Sequence, residues 1–347
     1  MLHAVVAEWW FTAALSLLAV ALPAALMWAR RGSRLRPGTH VLVTGGSKGL
    51  GLALALQCAE RGCSVTIVAR NKADLATALQ QLQETAVAAA TTLRAAGGAA
   101  APAAKLQALS ADTTDMTKVT KAFEEAERNA GPIDVLICNA GLSLPGLFVE
   151  QDVSAFELQM RVNYLGNVHS VKAALPGMLQ RRAGRVVLVT SSLAILGFAG
   201  YSSYAASKWA LRGLADCLRN ELQGTGVEVS VAYPPDTDTP GYAQENASKP
   251  ELCLAVNSAL GSDLFTPDKV ARLLLRGIER GQYHLPSADL GQNLLVSGMT
   301  SLSPKRFPLL VQVLLGPILP LATSVFGWIA DRAATKHNTA HGMPPRR

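Results

Sequence analysis

HVLVTGGSKGLGLALALQCAERG, residues 40–62, decides the fold. An apolar, β-branched strand runs into a turn with glycines at 45, 49 and 51, and the turn runs directly into a helical stretch. Glycines at those places let the turn be tight, let backbone approach a pyrophosphate and let the helix pack close to the strand. The helix N-terminus then offers unpaired N–H groups to an anion. A glycine cluster alone is a weak signal; between a strand and a helix it marks a nucleotide site.

The same alternation continues outward. SVTIVA (64–69), IDVLIC (133–138), GRVVLVTS (184–191) and VEVSVAY (227–233) read as strands, with a further one before ALSADTTD, and helical stretches separate them. These strands are continuously apolar rather than alternating, as expected of a parallel sheet covered on both faces. The predicted class is α/β: a Rossmann-like, doubly wound parallel sheet. AVAAATTLRAAGGAAAPAA (86–104) reads as an alanine-rich surface extension of the second helix, broken by Gly97, Gly98 and Pro102.

Of the 347 residues, 49% are apolar and only 16% charged, an imbalance that points to apolar segments at the ends. WWFTAALSLLAVALPAALMWA (9–29) carries no charge and has tryptophans at both ends, which suits a membrane span. Arg30, Arg31, Arg34 and Arg36 follow, so the positive-inside rule keeps the downstream chain in the cytosol. The preceding MLHAVVAE has no Lys or Arg, which argues against a cleaved signal peptide. A second uncharged run, 307–330, contains Pro308, Pro317 and Pro320 and reads as a spanning, re-entrant or interfacial segment. The expected organisation is an anchor and basic stop over 1–37, a catalytic domain over 38–290 and a membrane-associated segment and tail over 291–347.

The net charge of +7 comes without a basic run interleaved with aromatics, so no nucleic-acid partner is expected. Five cysteines form no CxxC and six histidines no HxxxH or HExxH, so neither a disulfide framework nor a metal site is expected.

The spacing TGxxxGxG over Thr44–Gly51 resembles the short-chain dehydrogenase/reductase family. Asn139-Ala140-Gly141, Asn163 in RVNYLG, Ser191 in VTSS, and Tyr204 with Lys208 in YAASK support that resemblance in the family's order. On it, Gly45, Ser47, Lys48, Gly49, Gly51, Asn139, Tyr204, Lys208, Pro234 and Thr239 are expected at a nicotinamide cofactor. Asp112 is expected at the adenine, or as a cap of the helix starting near Asp115. The second strand ends VARN, with Arg70 where an NAD enzyme would carry an acid, and Lys48 is a second cation. Two cations and no acid suit the 2′-phosphate of NADPH.

Lys208 is one helical turn beyond Tyr204, where its charge would stabilise the phenolate and lower the phenol's pKa. Ser191, thirteen residues before Tyr204, would hold a substrate carbonyl, with Ser192 as the neighbouring alternative. The resemblance implies that Asn163 bends a helix and holds a water relaying protons to Lys208. Tyr201 has Ala205 rather than a cation at i+4 and is expected to line the substrate pocket.

After the sixth strand, YPPDTDTPGYAQEN (233–246) replaces the family's usual Pro-Gly. This run, with LVTGGSKGLG and ASKWALRGLAD, resembles the 3-ketodihydrosphingosine reductase subgroup. The resemblance implies a long-chain sphingoid ketone as substrate, NADPH as cofactor, and an endoplasmic reticulum membrane location with the catalytic domain facing the cytosol. It implies a homo-oligomer paired through helices near 152–180 and 201–223. Asp236 and Asp238 are expected either to meet the substrate ammonium or to hold the turn. A membrane-bound reductase of 3-ketoacyl thioesters or steroids, and a catalytically silent cofactor-binding scaffold, are the alternatives.

Overall fold

The computed structural model describes residues 35–95, 103–261, 263–299 and 318–341. In chain order the elements open with β1 (His40–Thr44), α1 (Gly49–Glu60), β2 (Ser64–Ala69), α2 (Lys72–Ala95), β3 (Leu106–Ser110), α3 (Met116–Ala130) and β4 (Val135–Cys138). They continue with α4 (Val153–Met160), a π-helical turn (Arg161–Leu165), α5 (Gly166–Arg181), β5 (Gly184–Val189), α6 (Ser202–Glu221) and β6 (Val227–Ala232). The chain ends in α7 (Pro240–Ala247), α8 (Glu251–Leu260), α9 (Pro267–Glu279), α10 (Leu290–Gly298) and α11 (Ile318–His341).

The six strands are parallel in the order β3-β2-β1-β4-β5-β6. Chain direction across the sheet reverses between β1 and β4, and doubly wound sheets open a crevice at that switch point. Thr44 pairs with both Val68 and Cys138, so β1, β2 and β4 end level and release their turns into one crevice.

Alternate residues of each strand face opposite sides, and both sides are dry. Leu42, Leu136, Val186, Leu188 and Val229 pack on α3, α5 and α6, whereas Val41, Val43, Val65, Ile67 and Ile137 pack on α1, α2 and α9. This two-sided burial is why the strands read as unbroken apolar runs. Helix α9 supplies its side with Val270, Ala271, Leu274, Leu275 and Ile278, a stripe at helical spacing.

Helix α2 reaches Ala95, well into the alanine-rich stretch; residues 96–102, with Gly97, Gly98 and Pro102, lie outside the described residues. Val296 and Met299, in and just after α10, belong to the main core cluster.

The expectation of hydrophobic membrane segments at both ends is corrected as far as the described residues reach. Among the described residues no helix is long and apolar enough to cross a membrane. Helix α11 takes up the second part of the run 307–330 and continues through Asp331, Arg332 and Lys336; residues 307–317 lie outside the described residues. Its uncharged part, 318–330, gives about 20 Å of helix at roughly 1.5 Å per residue, short of a hydrocarbon core of about 30 Å. It lies against α8 and α10 of the domain instead. The run 9–29 lies outside the described residues.

Candidate active site

The turn after β1 is built around contacts that exclude side chains. Gly49 has φ +55°, and a Cβ there would meet the Thr239 methyl at 2.9 Å. At Gly51 a Cβ would fall 2.2 Å from the Gly45 carbonyl oxygen and 2.5 Å from Asn139 Nδ2. Asn139 stitches β4 to this turn: its Nδ2 donates to the carbonyls of Thr44 (3.3 Å) and Gly45 (3.2 Å), while its backbone N–H donates to Thr44 Oγ1. Lys48 caps α1 without a side-chain hydrogen bond to the helix, so no side chain from the cap answers the first-turn amides. Open amides above a backbone cradle fit the pyrophosphate of a dinucleotide.

Farther along the rim, Lys48 Nζ pairs with Asp74 at 2.9 Å and Arg70 is exposed at the end of β2. Asp112 accepts from Thr114 N–H (2.9 Å) and Thr114 Oγ1 (2.8 Å), whereas the N-cap of α3 is Asp115. Asp112 therefore shapes its own turn while bordering the cleft.

The catalytic end is formed where β5 and α6 meet. Ser191 follows β5 as the cap of a short 3-10 turn, its Oγ accepting from Leu193 N–H (3.2 Å) and facing the Tyr204 phenol. Ser192 instead donates its backbone N–H to the Pro234 carbonyl. Lys208 is buried, donates from Nζ to the Val189 carbonyl (3.2 Å) and lies 5.6 Å from the centre of the Tyr204 ring. Burial lowers its pKa to about 8.

Tyr204 departs from expectation. Its phenol is pushed up, not down: burial dominates, the carboxylates of Glu245 and Asp236 add to it, and the Ser191 hydroxyl opposes it. Lys208 is directed at a backbone carbonyl, and the nearby negative charges face the phenol.

Asn163 is fully buried in the π-helical turn, so the expected bend is there. Its Oδ1 accepts from Leu142 N–H (2.8 Å), its Nδ2 donates to Leu142 O (2.9 Å) and Ser207 Oγ (2.9 Å), and its carbonyl accepts from Asn167 Nδ2 (2.6 Å). It braces the loop after β4 against α6 one residue before Lys208, and does not border the cleft.

The proline loop crosses the cleft mouth. Asp236 O accepts from Phe265 N–H (2.9 Å) and Asp238 N–H donates to Phe265 O (2.8 Å), a parallel bridge around Thr237. This bridge sends the two aspartates to different sides. Asp236 borders the cleft and accepts from Tyr242 OH (3.1 Å); Asp238 is exposed and does not. Thr239 caps α7 through Tyr242 N–H and packs its methyl on Gly49, against the glycine turn. Tyr201 is buried on the cleft wall, edge-on to Phe198, and its hydroxyl donates to Glu245.

These parts border one cleft of about 1080 Å³. Of the expected site residues, Asn163, Gly51 and Asp238 stand outside it and the others line it. Residues not foreseen in the sequence close its far end: Trp209, Leu295, Met299, Phe326 and Ala330. Glu245, backed by buried Lys249, was also missed. Its one signal was the i,i+4 spacing to Lys249 directly after the proline loop.

The chain matches the short chain dehydrogenase family over residues 39–250. It is 37% identical over 249 residues to the 3-ketodihydrosphingosine reductase of Bos taurus, covering 72% of this chain and 70% of that one. With the 3-ketodihydrosphingosine reductase of Dictyostelium discoideum it shares 34% over 311 residues, 88% of this chain and 90% of that one. In fold it matches the crystal structure of levodione reductase with a TM-score of 0.64 at 22% identity, over 74% of this chain and 98% of that one. With the glycine turn, the Ser191–Tyr204 pair and Lys208 in one crevice, the chain belongs to the short-chain dehydrogenase/reductase family, whose members are nicotinamide-dependent oxidoreductases.

Proposed function

We propose that this protein reduces the 3-keto group of 3-ketodihydrosphingosine to the alcohol, with NADPH as reductant. The observation that carries the reading is the continuity of the cleft. A Ser–Tyr–Lys group for ketone reduction opens at one end onto the glycine turn and at the other onto an apolar wall formed by α6, α10 and α11. A polar reacting centre that shares a cleft with apolar side chains such as Trp209, Leu295 and Phe326 suits a ketone near the head of a long chain. The relatives named 3-ketodihydrosphingosine reductase support the same substrate.

The cofactor would be held by the glycine turn, Asn139 and the α1 amides, and Lys48 and Arg70 suit a 2′-phosphate because both are cationic and border the cleft. When bound, it supplies hydride to the carbonyl carbon. The chain's own groups handle the oxygen. Ser191 donates a hydrogen bond to the carbonyl, and Tyr204 transfers its hydroxyl proton to the oxygen as the C–H bond forms. The Lys208 cation stabilises the remaining phenolate. Of the two aspartates of the proline loop, Asp236 borders the cleft and Asp238 does not.

Purified protein is given a long-chain 2-amino-1-hydroxy-3-ketone, a 3-ketoacyl thioester or a steroid ketone, and nicotinamide oxidation is followed with NADPH or NADH. Turnover of the amino ketone with a tenfold or greater NADPH preference is expected. Tyr204→Phe is expected to lower kcat by about 10²–10⁴-fold, the usual weight of a general acid, while NADPH still binds. Preference for the thioester or steroid overturns the substrate, and no turnover of any ketone favours a binding scaffold.

The expected pairing through 152–180 (α4 to α5) and 201–223 (α6), with location at the cytosolic face of the endoplasmic reticulum, belongs to the same reading. Light scattering and protease accessibility in microsomes test these two points.

A further inference from the structure

Glu245 sits on the cleft wall in an arrangement that turning a loop would not need. Its Oε1 accepts from the Tyr201 hydroxyl and lies 3.5 Å from Lys249 Nζ. The Lys249 side chain is 1% exposed and that of Glu245 15%, and only Glu245 borders the cleft. The cation is therefore behind the carboxylate, enclosed by the Tyr242 ring at 4.7 Å and the Tyr201 ring at 5.9 Å. Both contacts fall on Oε1, so the second oxygen carries the remaining acceptor capacity.

Asp236 lies on the same wall, tied through Tyr242 OH. The wall thus holds two carboxylates and one buried ammonium. The other cations bordering this end of the cleft, Lys208 and Arg212, are directed at the carbonyls of Val189 and Ala194. The two carboxylates are felt at the reacting centre, where both oppose ionisation of Tyr204.

We propose that Glu245, held by Tyr201 and backed by Lys249, receives the ammonium of the substrate, selecting 2-amino ketones over uncharged ones. The assignment rests on the proposed reaction and deepens it. The ammonium brings a positive charge to the cleft side of the two carboxylates, opposite Lys249. It offsets the carboxylates next to Tyr204 and makes the phenol a better proton donor, so the substrate's charge contributes to kcat as well as to KM.

The test compares a long-chain 2-amino-1-hydroxy-3-ketone with its desamino counterpart, in the wild type and in Glu245→Gln, which keeps an acceptor for Tyr201. The wild type is expected to favour the amine at least tenfold in kcat/KM, part of it in kcat. In Glu245→Gln the amine loses tenfold or more, while the uncharged ketone holds or gains because one carboxylate no longer opposes Tyr204. A purely structural role would depress both substrates alike, and that outcome, or an unchanged amine preference, overturns the assignment. An N-acetylated substrate tests the wild type without mutation; equal kcat for amine and amide also overturns it. A wild type inactive on both ketones fails the proposed reaction itself, so the two failures are distinguishable.

Discussion

At the scale of single residues, two ionisations set the reacting centre. Lys208 is held near 8 by burial, and Tyr204 is held above the ordinary phenol value by burial, Glu245 and Asp236. Reduction needs Tyr204 protonated and Lys208 charged. With Lys208 lowered, the active form is present below about 8 and is lost as pH rises through that value. The kcat for reduction should therefore show an alkaline limb near pH 8, and a profile flat to pH 9.5 would reassign Lys208. The identities of these residues were legible in the sequence from Asn139, Asn163, Ser191, Tyr204 and Lys208 in order. The direction of the Tyr204 shift was not, because its largest cause is burial in the fold, and the carboxylates that add to it come from far along the chain: Asp236 in the proline loop and Glu245 in α7, forty-one residues downstream of Tyr204.

At the scale of elements, the sheet was readable because each strand is apolar on both faces. The turn was readable because glycines at 49 and 51 answer contacts that leave no room for a Cβ. What the pattern concealed is how β1 is tied. His40, fully buried at its start, bonds through Nδ1 to Gly131 O (2.7 Å) and through Nε2 to Thr66 Oγ1 (2.8 Å), joining β1 to β2 and to the end of α3. Burial lowers its pKa below the ordinary 6.5. In the window between the two values the unfolded chain binds the proton and the folded one does not. The contribution of His40 is thus complete above 6.5 and is lost as pH falls below it. Urea midpoints should fall between pH 7 and pH 5.5, and His40→Gln should reduce that pH dependence, read against the wild type at both values.

At the scale of the whole molecule, the C-terminal helix changes part. Read alone, 307–330 looks like a segment made for lipid; in the fold, α11 rests on α8 and α10 and places Phe326 and Ala330 at the cleft. Hydropathy counts apolar side chains and does not show what they meet: one side of α11 contacts α8 and α10, while Leu321, Val325 and Trp328 stay exposed. Phe326→Ser should raise KM for a long-chain ketone about tenfold and leave a short-chain analogue within twofold, since about 1.5–3 kcal/mol accompanies full burial of such a side chain. Equal effects on both chain lengths would place Phe326 away from the chain's path.

The Thr237–Phe265 bridge has a consequence at this scale too. It clasps the chain at both ends of the stretch that holds α7 and α8, so the segment carrying Tyr242, Glu245 and Lys249 leaves the sheet and returns to it through one buckle. A cassette fastened in this way can exchange its contents while the catalytic scaffold keeps its shape. Its charge still reaches Tyr204 through Glu245, so a new choice of substrate made there carries a change of reduction rate with it.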